Sequence, residues 1–329
     1  MFDVITLGEI LVDFTSLPCF AQNLQFEANP GGAPCNVAVY LAKQGRKAAF
    51  LGKVGKDAFG TYLTRTLAEY GVALCGIAPD ACHPTTLAFV HLDSAGERSF
   101  SFYRAHCADS NLTPEELPDD LLRNCRIFHC GTLSMTAEPA RSATLKALSL
   151  CKQAHVTISV DPNLRLSLWP NATVAQEAMW KVLKYADIIK ISDYEVEFLF
   201  GKGTSPQEGA RRLLQQVDAS AVFITCGLNG AFLFTKTFSC WHPCYQDVPT
   251  VDTTGAGDAF IAACLDVILA QGLPVCGTDA LFLMQRASAV AALVTTQKGG
   301  LRSMPFAHEA DALVQKNPQV KFHPTLEIL

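Results

Sequence analysis

From about residue 138 onward, short apolar runs alternate with stretches of helical periodicity. RSATLKALSLCKQA reads as helix, VTISVDP as strand, VAQEAMWKVLKYA as helix and DIIKIS as strand. The helical patterns YEVEFLFG and PQEGARRLLQQV follow, then AVFITCG as strand. Strands separated by helices of about ten residues or more must cross over rather than fold back. That gives βαβ units and a parallel sheet. The N-terminal part obeys the same rhythm. VITLGEILVDF reads as a buried first strand, and residues 33–44 as a helix stopped by Gly45. KAAFLGKVG is the next strand, and DAFGTYLTRTLAEYG a helix opened by an Asp57 N-cap and closed by Gly71.

Two stretches break the rhythm. In 85–104, the β-rich runs TTLAFVHLD and RSFSFYR flank the Gly-containing SAGE, a hairpin pattern, and 14–30 is irregular with Pro18 and Pro30. Both suit a small β-layer projecting from the main sheet, or an ordinary edge hairpin. The 329 residues are about two domains' worth on a prior of roughly 150 residues each. No interdomain linker, internal repeat or low-complexity tract is visible. The expectation is one domain, 1–329, with 14–30 and 85–104 inserted as a lid.

Composition excludes several function classes. Lys+Arg number 26 against 31 Asp+Glu, a net charge of −5, so no basic field awaits nucleic acid or anionic lipid. The longest uncharged run, 219–235, holds 17 residues and is broken by Gly227, Asn229 and Gly230, short of the roughly 20 a membrane span needs. Asp3 and Glu9 sit in the first apolar stretch with no basic segment before them, against a signal peptide and for a cytoplasmic location. Thirteen cysteines without a CxxC pair fit reduced, buried thiols. Cys240, His242 and Cys244 alone make a poor zinc set.

The sharpest chemical segment is VDTTGAGDAFIAACLDVILAQG, 251–272. Gly255, Ala256 and Gly257 precede a strongly helical run, so their backbone N–H groups form an anion site at a helix N-terminus. Asp258 follows directly. A carboxylate beside an anion hole suits a base that takes the proton of an attacking alcohol, although an acid at a helix start is also common. A second Gly-rich turn, Gly31-Gly32-Ala33-Pro34-Cys35-Asn36, opens another helix and offers Asn36 to a sugar hydroxyl. Asp13 follows the first strand, where α/β proteins bind ligands, and a carboxylate there can take two polyol hydroxyls. Neither a Walker A sequence nor GxGxxG is present, against P-loop NTPases, protein kinases and Rossmann dehydrogenases.

GGAPCNVAVYLAKQGRKAAFLGKVGKDAFG (31–60) and DTTGAGDAFIAACL (252–265) resemble the two signatures of the ribokinase-like (PfkB) sugar kinases, in the right order and across the whole chain. The resemblance implies a three-layer α/β/α sandwich with a mostly parallel central sheet and a β-lid that closes over the sugar. It implies Asp258 as general base, and the backbone of Gly255, Ala256, Gly257 and Asp258 as the hole for the transferred phosphate. ATP and Mg²⁺ are the implied cofactors, with Glu195 of Ser192-Asp193-Tyr194-Glu195 helping to organise Mg²⁺ and phosphate. Thr225, Gly227 and Gly230 match the nucleotide-edge turn, and Ser288 stands where many relatives place Asn near the nucleotide. Arg165 is assigned to the ATP phosphates. Asp252 and the 295–303 stretch, with Ser303, resemble a monovalent-cation loop pair, usually for K⁺. A homodimer through the lid is the family expectation.

Phe102-Tyr103-Arg104, Ala108-Asp109 and Asp161-Pro162-Asn163-Leu164-Arg165 resemble bacterial and plant fructokinases. Asp13 and Asp109 suit a neutral polyol, since like charges about 4 Å apart repel by about 1 kcal/mol even in water. Arg104 suits sugar, phosphate or a carboxylate. The substrate-side set is then Asp13, Gly31, Gly32, Asn36, Arg104, Asp109 and Asp258. Fructose phosphorylated at O6 is the expected reaction. The alternatives are a 2-keto-3-deoxygluconate, ribose or nucleoside kinase, and a catalytically silent sugar-binding regulator.

Overall fold

The computed structural model describes residues 1–17, 25–92, 98–274, 276–317 and 323–325. The N-terminal part supplies β1 (Phe2–Leu7), β2 (Leu11–Ser16), β3 (Phe26–Gly31), α1 (Ala33–Lys43), β4 (Ala48–Gly55), α2 (Ala58–Glu69), β5 (Ala73–Asp80), β6 (Thr86–Leu92) and β7 (Arg98–Tyr103). The middle holds α3 (Asp119–Arg123), β8 (Cys125–Cys130), α4 (Ala140–Gln153), β9 (Thr157–Val160), α5 (Ala172–Leu183), β10 (Ile188–Ser192), α6 (Asp193–Phe200), α7 (Pro206–Gln216) and β11 (Ala221–Thr225). Then come β12 (Ala231–Phe234), β13 (Ser239–His242), α8 (Ala256–Gln271), α9 (Gly277–Val294), α10 (Ala307–Lys316) and β14 (His323–Thr325).

The main sheet has ten strands in the order β14-β13-β12-β11-β10-β9-β8-β1-β4-β5. From β5 to β11 every pairing is parallel, and β12 to β14 continue it antiparallel. Alternate residues of each strand serve opposite cores. Ile189, Ile191, Val222 and Ile224 pack with α4 to α7, whereas Ile188, Ala221 and Phe223 pack with α8 and α9. A sheet covered on both faces is what near-continuous apolar strands specify. Helix α8 is buried from Asp258 to Leu269, packed against α1 and α9, as its all-round apolar sequence demands.

The segments expected to form a lid build a second sheet, β3-β2-β6-β7. Two hairpins build it, β2 with β3 and β6 with β7, joined by parallel pairing of β2 with β6. Pro18 and the SAGE turn lie outside the described residues. One correction concerns VITLGEILVDF. It is two strands, not one: β1 belongs to the main sheet and β2 to the lid. The chain leaves the main sheet at Gly8, with φ of 154°, where a Cβ would sit 2.6 Å from Pro34 Cγ. The parallel strands β1, β9 and β10 end toward one rim, where the loops after β1 and β9 carry Glu9 and Asp161 to Arg165, and the first turn of α6 after β10 carries Glu195. That is the edge where open α/β sheets bind ligands.

Candidate active site

Gly255 is the N-cap of α8 in the left-handed conformation, φ 81°, and a Cβ there would meet Gly300 Cα at 2.9 Å. The turn therefore needs glycine both for its backbone angle and for its clearance. One turn on, Asp258 is 8% exposed. Asn36 donates through Nδ2 to Asp258 Oδ2 at 2.7 Å, and Asn163, itself at φ 49°, donates to Oδ1 at 3.4 Å. Asn36 reaches it from the first turn of α1, so the two Gly-rich motifs, 222 residues apart, meet in one hydrogen bond.

A cavity of about 330 Å³ opens beside this carboxylate, lined by Glu9, Asp13, Gly32, Asn36, Arg165 and Lys190 among others. Asp13 lies against Gly31, where any Cβ would strike its Oδ2. Burial pushes the Asp13 carboxyl up to about 7, with Asp252 and Asp258 adding to the rise and Arg165 opposing it. Glu9 was not among the expected site residues. Its Oε1 accepts from Ala33 N at 2.9 Å, and burial raises it to about 7. Lys190 was also not expected. It is 6% exposed and bonds Asp161 Oδ2 at 2.9 Å. Burial opposes its charge, but Asp161, Glu195 and Asp258 outweigh burial and raise the ammonium's pKa.

Arg104 and Asp109 sit behind the cavity's lining, close enough to Glu9 to act on its carboxyl. They form a buried ion pair, Nε to Oδ2 at 2.6 Å, and neither lines this cavity. Asp109 also accepts from Thr86 Oγ1, and Arg104 donates to Thr136 Oγ1 and to the Leu133 carbonyl. The pair clamps the end of β7 to the 133–136 turn. Arg104 borders a separate hollow of about 430 Å³.

On the other side of Gly257 is a mainly apolar cavity of about 500 Å³, lined by Thr225, Gly227, Gly230, Gly257 and Ser288 as well as Leu228 and Phe260. Gly230 has φ 87°, and a Cβ there would run into the His242 carbonyl. Gly257 and Thr253 line both cavities, so the α8 N-terminus is the seam between them. Arg165 lies on the 330 Å³ side. Ala291 of α9 lines the larger cavity, and Ala291→Phe should narrow it. On the expectation that this cavity takes ATP, a misfit of about 1–3 kcal/mol predicts a rise of roughly tenfold in KM for ATP, with KM for the sugar unchanged in steady-state assays.

Glu195 is 4% exposed and borders neither of these cavities. Its Oε2 accepts from Ser192 N and Oγ, closing the capping box of α6, and its Oε1 accepts from Leu164 N at 2.7 Å. It thereby fixes the 161–165 loop that carries Asn163 and Arg165. Asp252 accepts from Thr254 N and, across to the other loop, from Gly299 N, while Ser303 donates to the Gly300 carbonyl within that second loop. His242 bonds the Pro243 carbonyl, and burial lowers it to about 4. Among the described residues no three His, Cys, Asp or Glu side chains are grouped to hold a metal, and no helix is long and apolar enough to cross a membrane.

The sequence profile of the pfkB family carbohydrate kinases matches residues 1–307. The chain belongs to that family. This pfkB-family kinase is 40% identical to fructokinase-2 of Solanum habrochaites over 316 residues, 95% of this chain and 96% of the relative. It superposes on the crystal structure of a fructokinase with bound ATP from Xylella fastidiosa with a TM-score of 0.88 and 31% identity, covering 97% of this chain and all of the other. A putative ribokinase II from E. coli in complex with ATP and Mg²⁺ gives a TM-score of 0.85 at 28% identity, over 96% of this chain and 100% of that one.

Proposed function

We propose that this kinase transfers the γ-phosphate of ATP to the O6 hydroxyl of fructose. The observation that carries the reading is Asp258 in the smaller, carboxyl-rich cavity, next to Gly257, which also lines the apolar, nucleotide-sized one. The fructokinase relatives support the choice of sugar. So does the committed state of Arg104: with Asp109 neutralising it, it is not free to meet a substrate carboxylate. Asp258 takes the hydroxyl proton as oxygen attacks phosphorus, and the Gly255–Gly257 backbone receives the phosphoryl charge. Mg²⁺, when bound with ATP, neutralises phosphate charge. Such an ion keeps several waters and takes few protein ligands, which suits a site where, among the described residues, no three His, Cys, Asp or Glu side chains are grouped to hold a metal. Glu195, with both oxygens engaged, acts by holding the 161–165 loop. A monovalent cation such as K⁺ would be held between the 252–254 and 299–303 loops, which Asp252 joins by accepting from Thr254 N and Gly299 N.

The test is ADP release measured across fructose, 2-keto-3-deoxygluconate, ribose and nucleosides. Fructose should give the highest kcat/KM; turnover confined to another sugar overturns the assignment. A pH dependence follows from Asp13. Sugar hydroxyls donate to its ionised form, so binding expels a proton from a carboxyl that titrates near 7. KM for fructose should rise by up to roughly tenfold per unit below that pH and level off above it. A KM flat from about pH 5.5 to 8.5 removes Asp13 from the sugar contacts.

A further inference from the structure

Lys190 occupies the middle of a central strand, where lysine is rare. The parity of β10 decides where it points. Ile189 and Ile191 face the α4–α7 core, so Ile188 and Lys190 face α8. Its ammonium ends at the α8 N-terminus: a Cβ placed on Gly257 would lie 2.8 Å from Lys190 Nζ. A cation against the positive end of a helix is unfavourable unless an anion shares the space. Asp161 is one such anion, at 2.9 Å, but it accepts only one of three N–H donors. Lys190 lines the cavity that holds Asp258, and its neighbour Gly257 lines both cavities.

We propose that Lys190 is a further catalytic residue of the kinase: held by Asp161, it hydrogen-bonds a non-bridging oxygen of the phosphoryl group as that group crosses from ATP to the sugar. The sugar oxygen forms its bond to the γ-phosphorus, and the bond from that phosphorus to the β,γ-bridging oxygen breaks with its electron pair leaving on ADP. The hydroxyl proton goes to Asp258, while Lys190 keeps its proton throughout. The ammonium complements the backbone donors of the anion hole, which meet the same charge from the helix side.

This rests on the kinase reading, for which wild-type turnover with sugar is the control. The experiment is steady-state kinetics of Lys190→Met and Lys190→Arg, together with inhibition by ADP, Mg²⁺ and aluminium fluoride, a mimic of the phosphoryl group in flight. Lys190→Met should lose roughly 10²-fold in kcat with a sugar KM within about threefold of wild type. Its inhibition by aluminium fluoride should weaken by at least about tenfold, and Lys190→Arg should recover part of both. If Lys190→Met leaves Asp161 too costly to bury, Lys190→Met with Asp161→Asn replaces it in the same assays. Wild-type kcat in a folded Lys190→Met or double variant overturns the assignment. So does a kcat loss with unchanged aluminium fluoride inhibition, which marks a structural role only. In either case wild-type turnover leaves the kinase reading standing.

Discussion

Asp258→Asn should lower kcat by roughly 10³-fold, the scale of a lost general base. The side chains stay nearly isosteric, and the amide oxygen can still accept the N–H that Asn36 now donates at 2.7 Å. The Gly255 turn is set by its backbone angle and clearance, so the anion hole should persist. ATP affinity should hold, because Asp258 does not line the 500 Å³ cavity. Stability should change little, because the lost support of the Lys190 ammonium and of the α8 N-terminus offsets the relief of repulsion. Burial is the main cause that lifts the Asp13 and Asp161 carboxyls, but the charge of Asp258 adds to both, and removing it relieves that repulsion. The measurements are kcat with saturating sugar, nucleotide binding by calorimetry, and a thermal melt. A variant within tenfold of wild-type turnover would sink Asp258 as the base. One with low turnover and a lowered melting temperature would mean that the carboxylate matters for folding instead.

The parallel sheet was legible because its strands carry long apolar runs, and so were both Gly-rich turns, because a tight turn before a helix leaves few residue choices. Strand β8 was missed. Arg126 and His129 interrupt its apolar pattern, and only pairing with β1 and β9 buries it, with His129 accommodated by Ser159 at 3.0 Å. Glu9 and Lys190 carried a readable signal, a charge inside an apolar strand or just beyond one, but a single sequence does not say which cavity such a charge faces. The division of VITLGEILVDF was hidden because both halves are apolar and only the backbone at Gly8 separates the sheets. For Arg104 and Asp109 the residue types suited a sugar site, yet a spacing of five residues leaves open whether they face a ligand or each other. In the structure they face each other.

That last difference makes a measurable claim. Arg104→Met should destabilise the protein by about 3–5 kcal/mol, because it strands the Asp109 charge in the interior. The Asp109 side chain is only 1% exposed, so water cannot take over from the guanidinium. The Thr136 hydroxyl loses the guanidinium donor as well, and the Leu133 carbonyl loses one of its donors while keeping the Thr136 hydroxyl and N–H. With an unfolding entropy of roughly 2.1 cal/mol/K per residue, the melting temperature should fall by about 4–7 °C. Combining Arg104→Met with Asp109→Leu should recover much of the loss, since an apolar pair in place of a buried ion pair is often neutral. Direct contact with sugar makes the opposite pattern: a raised KM, a melting temperature within about 1 °C of wild type, and no recovery in the double variant. Differential scanning calorimetry beside fructose kinetics separates the two. The outcome also bears on the lid, because the pair joins the end of β7 to the 133–136 turn. If the clamp carries the predicted energy, the end of β7 is fixed to the 133–136 turn.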